Sequence, residues 1–127
     1  MKKIGIIGSR RRNSMEDLLK TKKAFWKVCD THHQIVSGGC PEGGDRFAEE
    51  IAKQGGLSIT IHYPNWNKYK KAAGFMRNDK IANDCVILIA CVAEDRKGGT
   101  EDTIKKFLKN IGKSESDAIM YDYLILV

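Results

Sequence analysis

Three short stretches set glycines beside polar residues suited to an anion: Gly8-Ser9-Arg10, Gly38-Gly39 leading into Asp45-Arg46, and Gly98-Gly99-Thr100. Glycine carries no Cβ, so its backbone N–H groups approach an anion closely, and a helix beginning just after such a turn adds partial positive charge. The chemistry this pattern supports is the cradling of phosphate. Arg10 and Arg46 each offer a planar guanidinium that forks onto phosphate oxygens better than lysine does, although Arg46 equally suits a surface ion pair beside Asp45. Thr100 opens a helical stretch, where its hydroxyl and backbone N–H point the same way. Asp45 suits either capping of its own helix or acceptance of hydrogen bonds from a ribose. Arg77 and Asn78, in "FMRN", sit on a helical stretch facing the same region, and Asn78 equally suits the satisfaction of buried backbone groups.

Other polar and aromatic residues read more plainly. Arg11 and Arg12 follow the first apolar run and read as a solvated turn. Trp66 and Tyr69 fit a lid over the core better than a stacking surface for a base. His32 and His33 fall at the far end of the first helical stretch, where solvent exposure and no metal role are expected.

These residues must be held by the elements between them. Lys3 to Ile7 reads as a strand ending at Gly8, and Ser14 with Asp17 forms a capping-box pattern ahead of a helix with Leu18, Phe25 and Cys29 on one face. Gln34 to Val36 predicts a second strand. A helix over about Asp45 to Gln54 follows, with Phe47, Ala48, Ile51 and Ala52 inward and Gly55 as C-cap. Leu57 to His62 predicts a third strand, Ala73 to Asn83 a shorter helix, and "CVILIAC", apolar on both parities, a strand covered on both faces. Ile104, Phe107 and Leu108 mark a last helix before the strand in "YDYLILV". This alternation predicts an open, doubly wound α/β domain, its five-stranded sheet mainly parallel with helices on both faces and right-handed crossovers. In such a sheet, ligands lie outside the carboxyl ends of the strands where the winding reverses, and all three Gly-rich turns fall at such ends.

Composition narrows the classes further. A chain of 127 residues, 42% hydrophobic and 30% charged, fits one domain spanning 1–127 with a core of its own. No run approaches the roughly 18 apolar residues of a membrane helix, so no membrane partner is expected. Cys29, Cys40, Cys85 and Cys91 form no C-x-x-C pair and read as reduced residues of a cytoplasmic protein, without a metal site. The net charge of +6 is spread along the chain, which makes nucleic acid an unfavoured partner. Phe25, Trp26 and Phe107 fit either a core or a pairing surface between two copies of the chain. The dinucleotide fingerprint G-x-G-x-x-G is absent after the first strand, and the phosphate-loop motif G-x-x-x-x-G-K-[ST] is absent throughout.

Taken together, Gly8-Ser9-Arg10, Ser37-Gly38-Gly39, "GGDRFAEEIA", Tyr63-Pro64 with Trp66, "AAGFMRNDKI" and "GGTEDTI" resemble the YspA-like branch of the SLOG superfamily over residues 4 to about 112. That group also contains the Lonely Guy phosphoribohydrolases and DprA. The resemblance implies a single Rossmann-like domain and a site for nucleotides or nucleotide-derived ligands, with no further cofactor. In the Lonely Guy enzymes, an arginine and a glutamate act on the N-glycosidic bond of a nucleoside monophosphate. Arg77 matches the arginine. Thr103 falls where the glutamate would stand, and on a helix the neighbouring Glu101 and Asp102 point elsewhere.

An oxocarbenium-like transition state needs a carboxylate to stabilise it and to position water. The reading that leads is therefore a protein that senses or sequesters a nucleotide, nucleotide sugar or ADP-ribose-like molecule through Gly8, Ser9, Arg10, Gly38, Gly39, Asp45, Arg46, Arg77, Asn78, Gly98, Gly99 and Thr100. The alternative is an N-glycosidase in which Arg77 acts with Asp45 or Glu101. A nucleic-acid binder resembling DprA stands third.

Overall fold

Ser14 Oγ accepts from the Asp17 amide at 3.0 Å while the Asp17 carboxylate accepts from the Ser14 N–H at 3.4 Å. This capping box starts helix α1 (Met15–Val28) at the expected residue, because it satisfies donors that the first turn leaves without partners. A computed structural model describes residues 2–30 and 33–127. In chain order its elements are β1 (Lys3–Gly8), α1, β2 (Gln34–Ser37), α2 (Gly44–Gly55), β3 (Ile59–Ile61), α3 (Trp66–Tyr69), a 3-10 turn (Lys70–Ala72), α4 (Ala73–Asp84), β4 (Ile87–Cys91), α5 (Gly99–Ile111), α6 (Glu115–Met120) and β5 (Leu124–Leu126).

All five strands are parallel, in the order β3-β2-β1-β4-β5. The chain winds outward from β1 to β3, then returns past β1 to lay down β4 and β5. The winding therefore reverses between β1 and β4, where Ile4 to Gly8 pair with Ile87 to Cys91. This is the doubly wound α/β class expected of a Rossmann-like domain.

Alternation along the strands divides the core into two layers. Ile4, Ile6, Ile35 and Ile89 face α1 and α2, packing on Leu18, Phe25, Phe47 and Ile51. Ile7, Val36, Leu88 and Leu124 face the opposite side, on Ile81, Ile104, Phe107 and Ala118 of α4, α5 and α6. Successive residues of a strand point to opposite faces, so apolar residues on both parities give a sheet covered on both sides. Phe25 and Phe107 are fully buried in these layers, whereas Trp26 is exposed. Cys85 caps α4 rather than beginning a strand, and burial pushes its thiol up to about 12.

Several boundaries differ from the sequence reading. Gly56, with φ of 63°, and not Gly55, is the C-cap of α2. Strand β3 covers three residues, and the expected lid before α4 contains its own short helix α3. Helix α6 was not expected at all; Ser114 caps it, accepting from the Asp117 amide. His33 is buried rather than exposed, its Nδ1 accepting from the Asp30 N–H at 2.8 Å, while His32 lies outside the described residues. Among the described residues no helix is long and apolar enough to cross a membrane.

Candidate functional site

Helix α2 comes into direct contact with β1. A Cβ at Gly44 would overlap the Ile7 carbonyl and the Gly8 amide, so only glycine lets the first turn of α2 lie against the end of β1. Helix α5 opens on Gly98, whose φ of 120° is a conformation that side-chain-bearing residues rarely adopt. Neither helix has a side-chain N-cap, and residues of both first turns, Asp45 of α2 with Gly99 and Thr100 of α5, border the same region.

Between them lies a cleft of about 640 Å³, at the carboxyl ends of the strands and beside the β1/β4 reversal. Its walls come from the turns after β1 (Gly8 to Arg11), after β2 (Gly38 to Pro41), after β3 (Tyr63, Pro64, Trp66) and after β4 (Lys97 to Thr100). Helix α4 closes one side with Arg77, Asn78 and Ile81. The volume lies within the range of small-molecule sites. Thus Gly8, Ser9, Arg10, Gly38, Gly39, Asp45, Arg77, Asn78, Gly98, Gly99 and Thr100 all border one space.

Asp45 occupies the first turn of α2, yet its carboxylate serves the preceding loop instead of capping the helix. Its Oδ2 accepts from the Cys40 N–H at 3.1 Å and its Oδ1 stands 2.9 Å from Ser37 Oγ. Ser37 Oγ also lies 2.6 Å from the Ile6 carbonyl, and a hydroxyl has one proton to donate. An ionised Asp45 leaves two acceptors competing for that proton. A protonated Asp45 instead donates to Ser37 Oγ while Ser37 donates to Ile6. Burial acts in the same direction and pushes the Asp45 carboxyl above its ordinary value, although the Cys40 and Ser37 hydrogen bonds and Arg77 pull the other way.

Arg77 is fixed by its neighbours. Its Nη1 donates to the Gly38 carbonyl at 2.8 Å and lies 3.9 Å from Asp45 Oδ2, and its Nε donates to Asn78 Oδ1 at 2.9 Å. Asn78 in turn donates to the Gly99 carbonyl at 3.2 Å and to Asp102 at 3.1 Å. This chain of bonds joins the β2 turn, α4 and the start of α5. Asn78, buried, therefore performs the backbone-satisfying role as well as bordering the cleft.

Two of the expected site residues lie elsewhere. Arg46 does not line the cleft: it donates to Asn13 Oδ1 at 2.9 Å and to the Asn13 carbonyl at 3.1 Å, with its guanidinium over Phe47. Glu101 accepts a fork from Arg96 at 2.8 and 2.9 Å, so its carboxylate is also engaged outside the lining. Thr103 does border the cleft, and its hydroxyl donates back to Gly99 at 3.4 Å. Among the described residues, Asp45 is thus the one acidic residue in the lining, against Arg10, Arg11, Arg77 and Lys97.

The arginine turn is not simply solvated. Arg11 forks onto Asp95 at 2.9 and 2.7 Å and donates to the Lys97 carbonyl, tying the β1 and β4 turns together at the cleft's edge. Arg12 turns inward to Asp17 and to the carbonyls of Val92 and Val127. Arg10 remains exposed and, among the described residues, makes no side-chain hydrogen bond or ion pair. Apart from Arg12 with Asp17, these pairings join residues 80 or more apart, and no local sequence signal carries them.

No protein-family model and no curated protein matches the chain. Its fold does match solved structures. One is described as the molybdenum cofactor binding protein from the phototrophic bacterium Rippkaea orientalis, with a TM-score of 0.66 and 18% identity over 99% of this chain and 88% of the other. Another is the structural-genomics target TM1055, with a TM-score of 0.62 and 15% identity over 89% of this chain and 71% of the other. At these identities the likeness is one of fold.

Proposed function

We propose that the cleft binds a nucleotide or nucleotide-derived small molecule by its phosphate and holds it intact, so that the chain senses or sequesters its ligand. One observation carries the reading: the uncapped first turns of α2 and α5 and the unpaired Arg10 border one cleft in which cationic residues outnumber the single acid. Backbone amides at helix starts and a free guanidinium are complementary to a phosphate. The YspA-like SLOG motifs agree with this class of ligand. A structural neighbour described as binding the molybdenum cofactor widens it, because that cofactor, like a nucleotide, joins a planar heterocycle to a phosphate.

A second reading, N-glycosidic hydrolysis, rests on Asp45 and Arg77. A buried carboxyl with a raised pKa, 3.9 Å from a guanidinium, has the character of an acid–base group. Against it, that carboxyl is already engaged by the β2 turn, Glu101 is held by Arg96, and Thr103 supplies no carboxylate.

The test is incubation of purified protein with nucleoside monophosphates, NAD, ADP-ribose, cyclic ADP-ribose isomers and molybdenum cofactor, followed by mass spectrometry of what heat releases. Binding without cleavage predicts one compound retained and recovered whole. Free base that disappears in Arg77→Ala would establish the hydrolase instead.

A further inference from the structure

The turn after β3 has a second hollow beside the cleft. It measures about 440 Å³ and is walled by Tyr63, Pro64, Asn65, Trp66 and Asn67. Tyr63, Pro64 and Trp66 also line the main cleft, so the two spaces share a wall.

Both rings in this wall are exposed, Tyr63 at 66% and Trp66 at 55%. Neither is placed as a core lid would be, since α3 and the 3-10 turn that follows contain no buried residue. Each ring is nevertheless backed by the protein. A Cβ on Gly39 would lie 2.5 Å from Tyr63 Cε1, so Tyr63 rests directly on the β2 turn, and the indole of Trp66 lies over Gly74 of α4. Their remaining surface faces outward.

The polar groups here are unequal. Asn65 accepts from the Lys68 N–H at 3.1 Å and is engaged in capping α3. The Asn67 side chain makes no hydrogen bond among the described residues, leaving one acceptor and two donors beside two exposed aromatic rings. Ring faces with an adjacent carboxamide match a planar heterocycle that bears both donors and acceptors on its edge.

We propose that this hollow is a second subsite, which takes the heteroaromatic base of the ligand whose phosphate end lies at the Gly8 to Arg10 and Gly98 to Thr100 turns. This rests on the phosphate reading above and adds an orientation to it: phosphate inward at the helix starts, base outward on Tyr63 and Trp66. The shared wall lets one molecule reach both spaces. The subsite thus requires a planar base, and a sugar phosphate lacking one forfeits this part of its binding.

Adenosine 5′-monophosphate and ribose 5-phosphate separate the two halves. Trp26 lies on α1 and not in either lining, so a Trp26→Phe background leaves Trp66 as the sole indole reporter. Calorimetry and fluorescence are then recorded for that background and with Trp66→Ala, Tyr63→Ala, Asn67→Ala or Arg10→Ala added. The nucleotide is expected to quench Trp66 fluorescence while ribose 5-phosphate binds without quenching. Trp66→Ala should weaken the nucleotide by roughly 5- to 150-fold, the range of base stacking on an aromatic ring, and ribose 5-phosphate less than 2-fold. Arg10→Ala should weaken both.

If both probes bind with equal affinity, and the Trp66 and Tyr63 variants leave both unchanged, the subsite is overturned while the phosphate reading stands. If neither probe binds the unmutated chain, the phosphate reading fails first and the subsite falls with it. Circular dichroism on each variant confirms that the fold is retained, which the exposure of both rings favours.

Discussion

Ser37 Oγ lies 2.9 Å from Asp45 Oδ1 and offers it no proton that the Ile6 carbonyl, 2.6 Å away, does not also require. With burial acting in the same direction, Asp45 titrates above the ordinary carboxylate value of 3.8. The folded state then holds a proton that the unfolded state has released, and stability falls as pH rises from 3.8 through the raised value. Asp45→Asn cannot lose that proton. Thermal melts from pH 3.5 to 8 should therefore show the variant improving relative to the natural chain as pH rises; a difference independent of pH would place Asp45 at an ordinary pKa.

Among the described residues Arg10 is the unpaired guanidinium of the cleft, whereas Arg46 and Glu101 are engaged outside it. Hydrogen bonds to charged groups contribute about 1.5–3 kcal/mol, so Arg10→Ala should weaken nucleotide binding by roughly 10- to 150-fold. Arg46→Ala and Glu101→Gln should change it less than 3-fold. Isothermal titration with the ligand recovered from the protein makes the comparison.

Arg12 joins the first turn of α1 to the ends of β4 and the chain through Asp17, Val92 and Val127. Removing it takes a charged donor from a partly buried carboxylate, which keeps only the Ser14 N–H, and a donor from each of two carbonyls. Arg12→Ala should cost about 1–3 kcal/mol in urea unfolding. Arg12→Lys should recover less than half of that, because an ammonium on a flexible stem does not reproduce a planar fork with several acceptors.

At Gly44 the added methyl group has nowhere to go, since the obstruction is the backbone of Ile7 and Gly8 rather than a side chain. Gly44→Ala should destabilise by more than about 3 kcal/mol, beyond the usual cost of core overpacking, and should separate α2 from β1. Urea unfolding, or loss of soluble expression, measures the effect.

Much of this architecture was legible because its signals are local. The capping box at Ser14, the inward face Phe47, Ala48, Ile51 and Ala52, and the two-parity run of β4 each declare themselves within a few residues. Convergence of the Gly-rich turns followed from the winding rule. What escaped were partnerships across the fold: Arg12 with Val127, Glu101 with Arg96 and Glu115 nearby, and the hydrogen bond that His33 accepts inside a buried corner. Arginine in a polar turn looks solvated until the sheet brings a carbonyl beside it. Helix α6 had a readable signal in Ser114 and Asp117, but at six residues it lacks the periodicity that identifies longer helices.

The two core layers give the cleft a property of its own. The β2 turn is carried by α2, which packs in the layer of Phe47 and Ile51; the β4 turn is carried by α5, in the layer of Ile104 and Phe107. Among the described residues, no buried side chain belongs to both layers. A repacking change under one wall therefore reaches the other through the β1–β4 ladder and the polar links of Arg77 and Asn78 rather than through shared apolar packing, and well-separated core substitutions of this kind act nearly additively. Selection can reshape the face that meets one part of a ligand while the opposite face keeps its grip, a modularity by which one scaffold can acquire new ligands stepwise.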